Sequence, residues 1–139
     1  MSTLIFVNLP VKDLERSKQF YTGLGYQLNP QFTDDKAACV VISETIYVMV
    51  LLEEFFKTFT PKPVGDARQA TQTIVSLTAE SREGVDKMIE LAVAAGGRIY
   101  RETMDRGWMY ERGFEDPDGH LWEVFYMDVE AAKKASSGG

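Results

Sequence analysis

The chain of 139 residues is poor in the side chains that most often announce chemistry. It has one cysteine, Cys39, and one histidine, His120. A single cysteine excludes an intrachain disulfide. The setting Ala-Ala-Cys-Val-Val-Ile reads as a small buried hydrophobe, because a reactive thiolate needs nearby positive charge or a helix N-terminus. No run approaches the ~20 apolar residues of a membrane span, and no basic segment leads into an apolar one at the start, so a soluble, cytoplasmic protein with no membrane partner is expected. Basic residues are scattered, the densest pair being Lys133-Lys134, and the net charge is −6. That balance disfavours sequence-independent binding to nucleic acid or anionic lipid. What is present is an ordinary globular mix, 45% hydrophobic and 26% charged, long enough for one domain with a real core.

Along the chain one pattern occurs twice. Residues 4–9 fit a strand ending at Pro10. Asp13 suits an N-cap, Leu14, Phe20, Tyr21 and Leu24 fall on one side at helical spacing, and Gly25 is the stop. Strands are expected at 26–33, 36–43 and 45–52, with turns at Asp34-Asp35 and Ser43-Glu44. Residues 54–71 interrupt the pattern: one helical turn at 54–57, then a Pro61-Lys-Pro-Val-Gly connector. The pattern then restarts with a strand from Thr73, an N-cap at Ser81, and an apolar helical stripe of Val85, Met88, Ile89, Ala92 and Val93 closed by Gly96-Gly97. Strands at 98–104, 108–114 and 120–127 follow, the last entered through the turn Asp116-Pro-Asp-Gly119. Aligning Phe6 with Thr73 makes the second copy longer by about one helical turn. The expected organisation is a single domain over 1–128: module one at about 1–53, a linker at 54–71, module two at about 72–128. A tail over 129–139 would end in a frayed Ala-Ser-Ser-Gly-Gly.

Three stretches resemble the vicinal oxygen chelate superfamily, the group of glyoxalase I, bleomycin- and fosfomycin-resistance proteins and extradiol dioxygenases. The first is Phe6-Val-Asn-Leu-Pro-Val-Lys-Asp-Leu-Glu-Arg-Ser-Lys-Gln-Phe-Tyr-Thr-Gly-Leu-Gly25. The second is Ala94-Ala-Gly-Gly97, and the third is Phe114-Glu-Asp-Pro-Asp-Gly-His-Leu-Trp-Glu123. The resemblance implies an α+β fold of two βαβββ modules, forming a cup-shaped mixed sheet with helices outside, often as a homodimer. In metal-dependent members four His, Glu or Gln positions hold a divalent ion that a substrate's paired oxygens chelate. Carried over, these positions fall on Phe6, Thr73, Met49 or Val50, and Glu123. Only Glu123 is an ordinary ligand, so no metal site and no cofactor are expected, and His120 beside the Gly119 turn is read as a turn residue.

Glu123 lies on a strand whose two faces, Leu121, Glu123, Phe125 and Trp122, Val124, Tyr126, both look apolar and covered. An ionised carboxylate there needs a partner, a ligand or a raised pKa. Arg101 and Arg112 are the candidate cations. A ligand donor group bound in the cup is the second possibility, and a catalytic general base is the third. Asn8 shares a strand face with Phe6. Trp108, Tyr110, Phe6, Phe125 and Tyr47 are candidate pocket walls, most of them equally readable as core. Trp108 and Tyr110, which follow the turn over 104–107, are the better candidates for a pocket rim. The ligand-binding candidates are thus Phe6, Asn8, Met49, Thr73, Trp108, Tyr110, Arg112 and Glu123. The function expected is metal-independent binding of a small molecule, as in bleomycin-resistance proteins. The alternative is a lyase or isomerase of the glyoxalase I type acting on an oxygen-rich metabolite.

Overall fold

Asp13 does what its position predicts: its side chain accepts a hydrogen bond from the Arg16 amide at 3.0 Å and opens the first helix. In this computed structural model, which describes residues 2–137, the chain divides into two compact units. One ends at Ala70 and the other begins at Thr71.

In the first unit, β1 (Ile5–Val11) is followed by α1 (Leu14–Gly23), β2 (Gln27–Leu28), β3 (Ala37–Val41), β4 (Ile46–Leu52) and the short α2 (Glu53–Phe56). The sheet order is β1-β4-β3-β2, with β1 parallel to β4 and the other pairings antiparallel. β1 runs through Pro10 instead of ending before it, which costs no ladder bond because β1 is an edge strand. Leu14, Phe20, Tyr21 and Leu24 are buried as their spacing predicts, with Phe20 and Tyr21 edge to face at 5.0 Å. Gly25 has φ +103°, a conformation that suits glycine at a helix stop. Cys39 is fully buried, and burial pushes its thiol pKa up.

The strand expected at 26–33 is cut short. Only Gln27 and Leu28 pair, because Pro30 has no amide to donate and the Asn29 side chain instead caps a 3-10 turn over Pro30–Phe32.

The second unit repeats the first. β5 (Ile74–Thr78) leads to α3 (Arg82–Ala94), then β6 (Met104–Asp105), β7 (Met109–Glu115), β8 (Leu121–Met127) and α4 (Val129–Ser137). Its sheet order is β5-β8-β7-β6, with β5 parallel to β8. The Ser81 hydroxyl accepts from the Gly84 amide at 2.9 Å, and each such cap contributes about 1 kcal/mol. α3 is 13 residues long against 10 for α1, in the sense the spacing predicts. It packs Val85, Ile89 and Ala92 onto β7 and β8, over Trp122 and Val124 and a stacked Phe114–Trp122 pair.

Two expectations fail here. The strand at 98–104 is reduced to an isolated bridge at Arg98 and the two residues of β6. Between them the Tyr100 ring lies over Gly113 of β7, so a side chain, not a backbone ladder, covers that strand. The segment read as a tail forms α4, with Asp128 accepting from the Ala131 amide at its start. Of the expected frayed end, Ser137 belongs to α4, and Gly138 and Gly139 lie outside the described residues.

Candidate functional site

Glu123 is the residue on which the sequence argument converged, and its surroundings come from distant parts of the second unit. The parallel register of β5 and β8 sets Ser76 beside it. The Ser76 hydroxyl donates to Glu123 Oε1 at 2.7 Å. Arg101, in the irregular segment before β6, donates through one terminal nitrogen to Glu123 Oε2 at 2.8 Å and to Glu111 Oε1 at 2.6 Å. All three charged side chains are about four-fifths buried, at 20% exposure for Glu123, 23% for Arg101 and 15% for Glu111. Burial raises the Glu123 pKa, but hydrogen bonds from Ser76 and Arg101 outweigh it and leave the carboxyl below its ordinary value. A base poised near neutrality, the third possibility for Glu123, would need the opposite shift.

Strand alternation separates two faces of this sheet. Trp122 and Val124 lie buried under α3, whereas Leu121, Glu123 and Phe125 are only half-buried. The expectation that both faces are covered therefore holds for one. Glu111 shares the open face with Glu123, since it pairs with Phe125, and Gly113 pairs with Glu123.

Arg112 and Tyr110 sit on the other face. Asp86 of α3 accepts from Arg112 at 2.9 Å and from the Tyr110 hydroxyl at 2.7 Å. The Tyr110 bond, opposed by desolvation and reinforced by Arg112, holds Asp86 below the ordinary carboxylate range. Of the two cations considered for Glu123, the partner is thus Arg101, and Arg112 is engaged elsewhere. Arg82 stacks on the Tyr110 ring at 5.0 Å, grips Asp105 through two bonds of 2.8 and 3.0 Å, and donates to the Gly107 carbonyl at 2.9 Å. Arg82 and the Gly107 amide lower the Asp105 pKa to about 2. This clamp holds the turn that carries the half-buried Trp108.

In the first unit, Phe6 stacks on Tyr47 at 4.8 Å, with Asn8 beside Met49 two residues on. These four lie opposite the buried Val48 and Val50. Asn8 donates weakly to the Phe6 carbonyl at 3.4 Å. Matching Met49 with Glu123 makes Asn8, not Phe6, the counterpart of Ser76. Thr73 then falls one residue ahead of β5 and is exposed, so the duplication is aligned one residue later than Phe6 on Thr73. Ser76 and Glu111 were missed from the sequence. The polar alternation Ser76, Thr78 along β5 was the available signal for the first, and nothing local singles out the second.

His120 anchors the Asp116–Gly119 turn through its backbone, its amide donating to Asp116 Oδ1 at 2.9 Å. Among the described residues no three His, Cys, Asp or Glu side chains are grouped to hold a metal ion. No described helix is long and apolar enough to cross a membrane.

Comparison with known proteins agrees with this repeat. The profile described as bleomycin resistance protein-like N-terminal matches residues 3–43. A hypothetical protein from S. aureus superposes with a TM-score of 0.76 at 28% identity, over 91% of this chain and 95% of its own. The chain has the vicinal oxygen chelate fold. A glyoxalase-related enzyme from Fulvimarina pelagi matches this vicinal oxygen chelate architecture with a TM-score of 0.77 at 23% identity, over 93% of this chain and 91% of its own. The genomically encoded fosfomycin resistance protein of Listeria monocytogenes does so at 0.67 and 20%, over 94% and 97%. No curated protein was found to match the chain.

Proposed function

We propose that this vicinal oxygen chelate protein binds a small molecule without the divalent metal that many proteins of its fold use, and that it works as a homodimer. The observation that carries the reading is the state of Glu123. Of the positions carried over from chelating members, Phe6 and Met49 offer a phenyl ring and a thioether, and Thr73 lies one residue ahead of β5, where the register puts the alkyl chain of Ile74 in its place. The remaining carboxylate has one oxygen taken by Ser76 and the other by Arg101. A divalent ion brought within 4 Å of that guanidinium would meet repulsion of about 8 kcal/mol at an effective dielectric near 20. These donors do not suit such an ion.

Binding finds support in the open sheet face, where half-buried apolar Leu121 and Phe125 flank polar groups already held in place. Pockets for small molecules combine an apolar wall with a few fixed polar groups. The exposed Phe6 and Ile74 on strand β1 and strand β5 support association through those strands.

The test is a thermal-shift screen of small aromatic and polar metabolites on tag-free protein, repeated on Glu123→Gln. A hit that stabilises the parent and loses about tenfold in affinity in the variant fits the reading, since that is the usual scale of one buried polar contact. A ligand bound equally well by both forms would move the site elsewhere. Light scattering that shows only monomer would remove the dimer.

A further inference from the structure

We infer that Arg101 is a resident cation: its guanidinium occupies the electrostatic place beside Glu123 that an ion takes in chelating relatives, and it is what makes this site refuse divalent metal. The inference rests on the metal-free part of the proposed function, and its test needs no organic ligand, so the two can fail separately.

Glu111 and Glu123 come from neighbouring antiparallel strands and lie on one face of the sheet. Each carboxylate sends an oxygen to the same terminal nitrogen of Arg101, which holds the two oxygens within a few ångströms of each other. Two carboxylates so close, each about four-fifths buried, repel when both are charged, and a positive group between them relieves that repulsion. A hard divalent ion bridged by two carboxylates would answer that need equally well. Here a covalently attached charge does so, and it cannot dissociate.

The backbone is arranged to deliver it. Residues between Arg98 and Met104 leave the ladder, and Tyr100 seats its ring against Gly113, the one residue type whose lack of a Cβ permits the contact. Arg101 lies over that ring at 5.8 Å and donates a further bond to the Glu102 carbonyl at 3.2 Å. The guanidinium is therefore positioned from two sides before any ligand arrives. Ser76 completes the shell by satisfying the Glu123 oxygen that Arg101 leaves open. Arg101 is a positioning residue, since it acts by holding the two glutamate side chains in place.

Removing the charge should expose a latent ion site. Tag-free parent, Arg101→Gln, Arg101→Lys and Arg101→Gln/Glu111→Gln proteins are titrated with Mn(II) by calorimetry and by the electron paramagnetic resonance signal of free Mn(II), with circular dichroism confirming the fold. The parent and Arg101→Lys, which keeps a cation, are expected to show no saturable binding. Arg101→Gln, which keeps one hydrogen-bond donor for the carboxylates, is expected to bind Mn(II) at least about tenfold more tightly than the parent. The double variant is expected to lose that gain. Saturable Mn(II) binding by the parent or by Arg101→Lys that disappears with Glu123→Gln overturns the inference. So does a folded Arg101→Gln protein that binds no better than the parent.

Discussion

The Ser76 hydroxyl and the Glu123 carboxylate meet at 2.7 Å across the parallel pairing of β5 and β8, although 47 residues separate them in the chain. A hydrogen bond to a charged group contributes about 1.5–3 kcal/mol when it is removed from water. Ser76→Ala should therefore lower stability by about 1–2 kcal/mol, because the site is partly open and water replaces some of the lost bond. It should also move the Glu123 pKa up. Urea denaturation reads the first effect, and NMR titration of the Glu123 side-chain carbonyl carbon reads the second.

Arg101 and Arg112 are close in the chain, yet their guanidinium groups lie on opposite faces of the same sheet. Arg112→Gln is expected to raise the Asp86 pKa, since that carboxylate loses a charged donor. It should leave Glu123 unmoved. Side-chain NMR titrations of both carboxylates in the one variant check the prediction, and a Glu123 shift as large as that of Asp86 would contradict it.

Asp105 has a folded pKa of about 2, below the roughly 3.9 of an unfolded aspartate. A depressed folded pKa contributes stability that is present above the unfolded value and is lost as pH falls through the folded one. Asp105→Asn should thus be less stable than the parent at neutral pH. The gap should narrow as pH falls from about 4 towards 2. Thermal unfolding of both proteins over that range gives the answer. A gap that stays constant with pH would assign the loss to something other than the Arg82 clamp.

Gly113 faces the Tyr100 ring so closely that an added Cβ would stand 2.6 Å from Cε1. Gly113→Ala must push that ring aside, at an expected cost of about 1–3 kcal/mol. Because Arg101 rests on the same ring, its hold on Glu111 and Glu123 should loosen and the Glu123 pKa should rise. Denaturation and titration together test it, and a variant as stable as the parent would show that the tyrosine is free to move.

Much of the fold was legible in the sequence, and the particular elements show why. Asp13 and Ser81 cap helices through amides three residues away, and Gly25 and Gly96 end them with positive φ. Such signals are local, so a short window contains both partners. The strand at 98–104 was misread because its apolar and β-prone residues resemble a ladder strand. What removes them from the ladder is a tyrosine seated on a distant glycine. The helix at 129–137 was missed because its composition resembles a polar end.

The sequence by itself determined the order of elements, the duplication, the buried Cys39 and the place of Glu123 on the last strand. All of these follow from neighbour chemistry and from periods of two or of about 3.6 residues. Only the tertiary structure decided between Arg101 and Arg112, brought Ser76 and Glu111 to the site, and set Asn8 rather than Phe6 opposite Met49. Strand register carries that information. A shift of one residue sends every side chain of a strand to the other face, and register is settled by pairing between strands far apart in the chain.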